Sequence, residues 1–270
     1  MRKALLVLPF AVLAVASPAF AATVTVTEAD LTVAGAPAPG KWTPFTRDGG
    51  AVAFGTEYGA PAGLGTGSLQ ISTPLNNLDK ASLALTPTTV LPLAELADAS
   101  YWSYRAEKST APDVQAPALN VGVDVNGLTT PGGFTTLVFE PVYNTGQATV
   151  TEGLWQRWSS GGNDIFWSSN AIGAAPNRNT FVPLTTIIAA NPAAVILSFG
   201  ANQGGGNPGL FGAVDGLTLN DTTYDFGPRV FDKADCKDGG WQTLKDSSGQ
   251  AFVNQGDCVS YYASSGKTHS

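Results

Sequence analysis

The chain has 270 residues and a formal net charge of −7, and its single histidine, His269, lies one residue from the C-terminus. An acidic balance disfavours nucleic acid, whose phosphates need clustered Lys and Arg. One terminal histidine leaves neither a Ser-His-Asp arrangement nor a histidine-built metal site. With 31 glycines, 18 prolines and 13% charged residues the chain is rich in turns, while 43% hydrophobic residues supply a real core and exclude wholesale disorder.

Arg2 and Lys3 precede an apolar run from Ala4 to Val15, and Ala19-Phe20-Ala21 carries small residues where a signal peptidase reads. The run is short of the roughly 20 residues that span a bilayer. The expectation is a signal peptide over 1–21, cleaved after Ala21, and a secreted mature chain without membrane insertion.

Downstream, period-two alternation bounded by Gly, Pro, Asn and Asp predicts strands. These are Val24–Thr27, Ser68–Ser72, Ala81–Leu85 and Tyr101–Arg105. Leu119, Val121, Val123 and Val125 then alternate with Asn120, Gly122, Asp124 and Asn126, and Asn126-Gly127 reads as a turn. Leu137, Phe139 and Tyr143 are expected to share a face, with Pro141 marking an edge or bulge because it cannot donate to a ladder. A strand over Val150–Arg157 is expected to form a hairpin through Gly161-Gly162-Asn163-Asp164 with Ile165–Ser168. Thr185 can cap a short helix through Ala190, stopped by Pro192. Strands Ala194–Phe199 and Val214–Leu219 flank a glycine-rich loop, Ala201–Gly209. The sum is an all-β chain, an antiparallel β-sandwich with one short helix, over residues 22–229.

Composition shifts after Gly227-Pro228, where Lys233, Lys237, Lys245, Lys267 and both cysteines gather. An even pair in an exported chain reads as a disulfide. Cys236–Cys258 is therefore expected to close a small appendage over 230–262, ahead of a disordered tail, 263–270.

Two stretches carry a resemblance. Gly67-Ser68-Leu69, Ser100-Tyr101-Trp102-Ser103-Tyr104, Leu137 to Asn144, Gly153 to Trp158, Asn191 to Val195 and Ala213-Val214-Asp215-Gly216 together resemble secreted bacterial β-sandwich proteins of the concanavalin A-like or carbohydrate-binding-module kind. The likeness covers about residues 23–227 and implies a jelly roll and an extracellular setting. Cys236-Lys237-Asp238-Gly239-Gly240-Trp241 with Phe252 to Tyr261 is similar to a short C-terminal segment of many bacterial exported proteins, which implies no activity.

Among residues that could carry chemistry, Trp155 shares a predicted strand face with Thr149, Thr151 and Arg157. An indole on a polar sheet face is a platform for the apolar side of a sugar, with Arg157 beside it and Trp102, Tyr104 and Trp167 as extensions. Asn202 and Gln203 in the glycine-rich loop offer amide donors and acceptors to a ligand, or serve only a connector. Asp215 alternates with Leu217 and Leu219, and a carboxylate on an apolar face must be paired, hydrogen-bonded or bound to a metal. The resemblance implies structural calcium as one such partner, against an ordinary hydrogen-bonded Asp. Glu140 and Glu152 are the candidates for the two carboxylates of a glycoside hydrolase, although alternation sets Glu140 with Val138 and Val142, and Glu152 with Val150 and Leu154, on faces that look packed. Asn220-Asp221-Thr222 fits a glycosylation sequon. Three functions remain: a non-catalytic module for glycan or cell-surface polymer, a carbohydrate-active hydrolase using Glu140 and Glu152, and a structural surface protein.

Overall fold

Alternating apolar and polar side chains bury one face of a strand and leave the other free, so strands of this composition pair off back to back. The computed structural model describes residues 22–32, 35–170, 180–228, 232–242, 244, 246 and 250–264. The expected signal peptide and most of the expected tail lie outside these residues. Fifteen strands form two sheets: β1 (Ala22–Val26), β2 (Trp42–Arg47), β3 (Ala51–Gly55), β4 (Ser68–Thr73), β5 (Lys80–Leu85), β6 (Leu91–Pro92), β7 (Ser100–Arg105), β8 (Ala118–Asp124), β9 (Phe134–Phe139), β10 (Trp155–Ser159), β11 (Ile165–Ser168), β12 (Val182–Pro183), β13 (Val195–Gly204), β14 (Leu210–Leu219) and β15 (Thr222–Phe226).

The larger sheet has eight strands in the order β12-β11-β9-β8-β13-β5-β2, with β6 also on β13. The other has seven, and β14 is its spine: β7 pairs along one edge and carries β10 outside it, while β4 and then β15 share the opposite edge. All these ladders are antiparallel except β1 on β15. This is the expected all-β sandwich.

Inward side chains of both sheets make one core. Leu119, Val121 and Val123 of β8, Leu137 and Phe139 of β9, Phe166, Phe199, Trp158, Val214 and Leu217 are all buried in it. Fully burying a side chain of this size contributes roughly 1.5–3 kcal/mol each. Trp158 Nε1 donates to Ser103 Oγ at 2.8 Å, so this fully buried indole also satisfies its polar atom.

Several local expectations are corrected. Gly161 to Asp164 is a turn but not a hairpin: β10 belongs to the seven-stranded sheet and β11 to the other, so the chain crosses between layers there. β9 ends at Phe139, and Pro141 begins a 3-10 turn, Pro141–Tyr143, that leaves Tyr143 exposed instead of beside Leu137. β10 starts only at Trp155, because Gly153 takes a φ of +71°, and Leu154 is 57% exposed instead of packed. Helix α1 (Leu184–Ala190) forms where expected, but Pro183 occupies its N-cap and Thr185 lies inside it. β13 runs on to Gly204, so Asn202 and Gln203 are strand residues and not loop residues.

A second helix, α2 (Gln255–Ala263), is capped by Asn254, whose side chain accepts from Asp257 N. Cys258 on α2 is bonded to Cys236, as expected, and both lie in a small apolar cluster with Leu244 and Phe252, packed by Trp241, Val259, Tyr261 and Tyr262. That cluster shares no residue with the sandwich core. No helix among the described residues is long and apolar enough to cross a membrane.

Candidate functional site

Each sheet turns an outer face away from the core, and the two faces differ. On the seven-stranded sheet, register sets Trp155 opposite Tyr104 and Arg157 opposite Trp102, so these four side chains share the outer face as alternation implied. The Tyr104–Trp155 end of this face is partly covered by the chain itself, while Arg157 is exposed. Tyr58, from the connection between β3 and β4, stacks on Tyr104 with ring centroids 5.2 Å apart, and its carbonyl accepts from Trp155 Nε1 at 3.0 Å. Lys108 holds that connection by pairing with Glu57 at 2.6 Å. Trp155 also tilts against Tyr104 at 5.5 Å, and Arg157 donates to Ser100 Oγ. The indole therefore has its polar atom satisfied and its ring half-buried within the protein.

Asp215 belongs to this same outer side and not to the apolar face of Leu217 and Leu219. The register with β7 shifts between Asp215 and Thr218, and Gly216 adopts a φ of +53°, which inserts a bulge and reverses the parity beyond it. The bulge falls where β14 changes partner from β4 to β15. Asp215 is 0% exposed; its Oδ1 accepts from the backbone N–H of Gly216 and of Phe226, both at 2.8 Å, and Oδ2 has no hydrogen-bond partner among the described residues. Burial pushes the carboxyl up to about 7 against two opposing backbone hydrogen bonds, with the Asp225 charge adding to the rise. Oδ1 is thus held by backbone N–H groups, the ordinary alternative to a metal. Calcium takes six to eight oxygens, and no group of three or more His, Cys, Asp or Glu that could hold a metal exists among the described residues.

The outer face of the eight-stranded sheet is different. A groove of about 570 Å³ crosses it, lined by β11, β9, β8, β13, β5 and β2 and by the glycine-rich turn after β13. Such a volume is in the range of small-molecule sites. At the β11 end stand Trp167, Tyr143 and Phe181, the last two with ring centroids 4.3 Å apart. Glu140, one residue beyond β9, faces this end, and Trp167 Nε1 donates to its Oε2 at 2.7 Å. Burial raises the Glu140 pKa, a rise the Trp167 hydrogen bond opposes. Asn120 and Asn202 line the middle on adjacent strands, and Arg47 with Lys80 closes the β2–β5 end.

No family model and no curated protein matches this chain. Among solved structures, the family 11 carbohydrate-binding module from Clostridium thermocellum, in complex with a β-1,3-1,4-mixed-linked tetrasaccharide, is similar at 10% identity and a TM-score of 0.36, over 66% of this chain and 88% of that one. That likeness is too distant to assign a residue. The site rests on its own geometry.

Polar satisfaction separates the groove from the rest of the molecule. Six buried side-chain polar atoms lack a hydrogen-bond partner among the described residues, and four of them, Gln115 Oε1, Asn120 Oδ1, Asn202 Oδ1 and Gln203 Oε1, belong to residues that line the groove. Unpaired buried polar groups are rare in folded proteins, so the three half-buried amides Gln115, Asn120 and Asn202 along one groove, with Gln203 beneath them, call for a cause. A smaller cavity of about 270 Å³ between Trp42, Leu85, Leu219 and Tyr224 has no such set.

The sequence candidates therefore divide. Asn202 joins the groove through its outward side chain; Gln203 reaches it only from the inner side, 1% exposed, with Nε2 donating to Thr73 Oγ1 and Leu210 O. Trp155, Arg157 and Trp102 lie on the other sheet, and Trp167, expected to extend their surface, lies in the groove instead. Glu140 and Glu152 are not brought together: Glu152 bonds Arg105 Nε at 3.0 Å, beside β7. Missed from sequence were Asn120, Arg47, Lys80, Tyr143 and Phe181. The polar half of the β8 alternation, with Asn120 at its centre, was the one available signal.

Proposed function

We propose that the chain is an exported, non-catalytic module that binds polysaccharide in the groove outside the eight-stranded sheet. The observation that carries this reading is the row of half-buried amides along the groove, Gln115, Asn120 and Asn202, each with an unpaired side-chain oxygen among the described residues, beside the aromatic rings that wall one end. A sugar ring presents an apolar face suited to Trp167 and a rim of hydroxyls suited to amides, so one ligand class uses both halves. The disulfide supports work outside a reducing compartment.

A two-carboxylate hydrolase fits less well. Both glycosidase geometries need a second acid within about 5–10 Å of the first. Glu140 is the one carboxylate among the described residues of the groove, and Glu152 is committed to Arg105.

The test is affinity electrophoresis and calorimetry of residues 22–270 against a panel of soluble polysaccharides. Removing a central aromatic anchor typically costs about 2 kcal/mol or more, so Trp167→Ala is expected to weaken binding at least about ten-fold, while Trp155→Ala binds like wild type. Retention of no polysaccharide, or equal binding by wild type and Trp167→Ala, would refute the proposal.

A further inference from the structure

We infer that the polysaccharide is acidic, and that its carboxylate or sulfate groups pair with Lys80 and Arg47 at the β2–β5 end of the groove. This rests on the reading of the groove as a glycan site and adds the class of glycan. Arg47 and Lys80 are register partners on β2 and β5, so their side chains leave the same face side by side. Arg47 is tethered, with Nε donating to Leu78 O at 2.7 Å and lying 3.5 Å from Asp48 Oδ2. Lys80 has no such neutralisation: its stem is half-buried, its Nζ stands 5.9 Å from the centroid of Phe45, and no carboxylate pairs with it among the described residues.

Two like charges directly opposite one another on a sheet destabilise the pairing. Burial first, and then the Arg47 charge, lower the Lys80 pKa. A chain with a net charge of −7 has ample carboxylates to place beside this lysine, yet the groove leaves it open. An anion arriving from outside relieves both the repulsion and the burial of charge, and hydrogen bonds to ionised groups are about twice as strong as neutral ones. The opposite end supplies the contrast. Glu140 would repel an acid, so the charged substituent is directed to one end and the neutral ring face to Trp167. Trp167 on β11 and Arg47 on β2 are five strand spacings apart, about 24 Å, so an extended polymer and not a single sugar engages both.

The experiment compares the binding of residues 22–270 to a linear polyuronate, to the same polymer after carboxyl reduction, and to a sulfated galactan. Wild type is expected to bind at least one of the acidic polymers about ten- to a hundred-fold more tightly than the reduced one, with affinity falling as salt is raised. Lys80→Gln, which keeps part of the stem over Phe45 and relieves the repulsion from Arg47, is expected to lose most of that preference without a fall in melting temperature. Which acidic polymer binds tells carboxylate from sulfate, and either supports the inference. Equal affinity for acidic and reduced polymers, or an unchanged preference in Lys80→Gln, overturns it and leaves the glycan-binding reading standing. Failure to bind any of the three, or any polysaccharide of the wider panel, overturns both.

Discussion

Asp215 makes a pH dependence that one substitution should remove. The carboxyl is buried at the β14 bulge, accepts two backbone N–H groups through Oδ1 and leaves Oδ2 unpaired. Its pKa rises from 3.8 to about 7 in the folded chain. The folded state therefore holds a proton that the unfolded state gives up, and this contribution is fully present below the unfolded pKa and lost as pH rises through the folded one. Each pH unit between the two is worth about 1.4 kcal/mol, so between pH 5 and pH 8 this one group should remove roughly 3 kcal/mol of stability. Glu140 and Asp164, also raised by burial, act in the same direction, so the wild-type slope alone is not diagnostic. Asp215→Asn isolates the group: its carbonyl oxygen can accept the same two N–H groups, its amide has no proton to lose, and any cost of the unpaired amide is equal at both pH values. Urea unfolding followed by tryptophan fluorescence at pH 5 and pH 8 should show the variant losing about 3 kcal/mol less than wild type over that range. Identical losses in the two proteins would refute the reasoning.

Two further outcomes test the packing. Trp158→Ala removes a fully buried indole and its bond to Ser103, and is expected to destabilise the sandwich by about 3–5 kcal/mol in the same urea assay. Replacing both cysteines, Cys236→Ser with Cys258→Ser, frees a loop whose closure is worth about 3 kcal/mol; calorimetry should find the small C-terminal cluster unfolded and the main transition unmoved, because the two apolar clusters share no residue.

The sandwich was legible because its central strands are regular. Leu119, Val121 and Val123 alternate with Asn120 and Gly122, and nothing interrupts the count, so the buried side of β8 follows from period two alone. Counting failed where a backbone kink changed parity. Gly153 separates Glu152 from β10, and the Gly216 bulge carries Asp215 to the other face from Leu217. Neither glycine announces a positive φ in its neighbours. Layer assignment failed for a different reason: Gly161 to Asp164 has the residues of a hairpin turn, but the partners of β10 and β11 lie more than 20 residues away, on β7 and β9. The groove was the least legible element. Its lining comes from six strands whose neighbours are set by long-range pairing, so Trp167, Asn120, Asn202 and Lys80 become one surface only once the strand order is known. Trp155 was conspicuous in sequence, yet Tyr58, almost a hundred positions earlier, occupies the face it presents.

The amides along the groove also set heat resistance against recognition. A side-chain oxygen that is sealed from solvent and matched to nothing strains the empty molecule, and swapping it for an aliphatic group of similar outline removes the mismatch at little expense in shape. Laboratory evolution for thermal endurance alone would accordingly drift toward Leu or Met at positions 120 and 202, and the hardier descendants would be the ones that no longer hold their ligand.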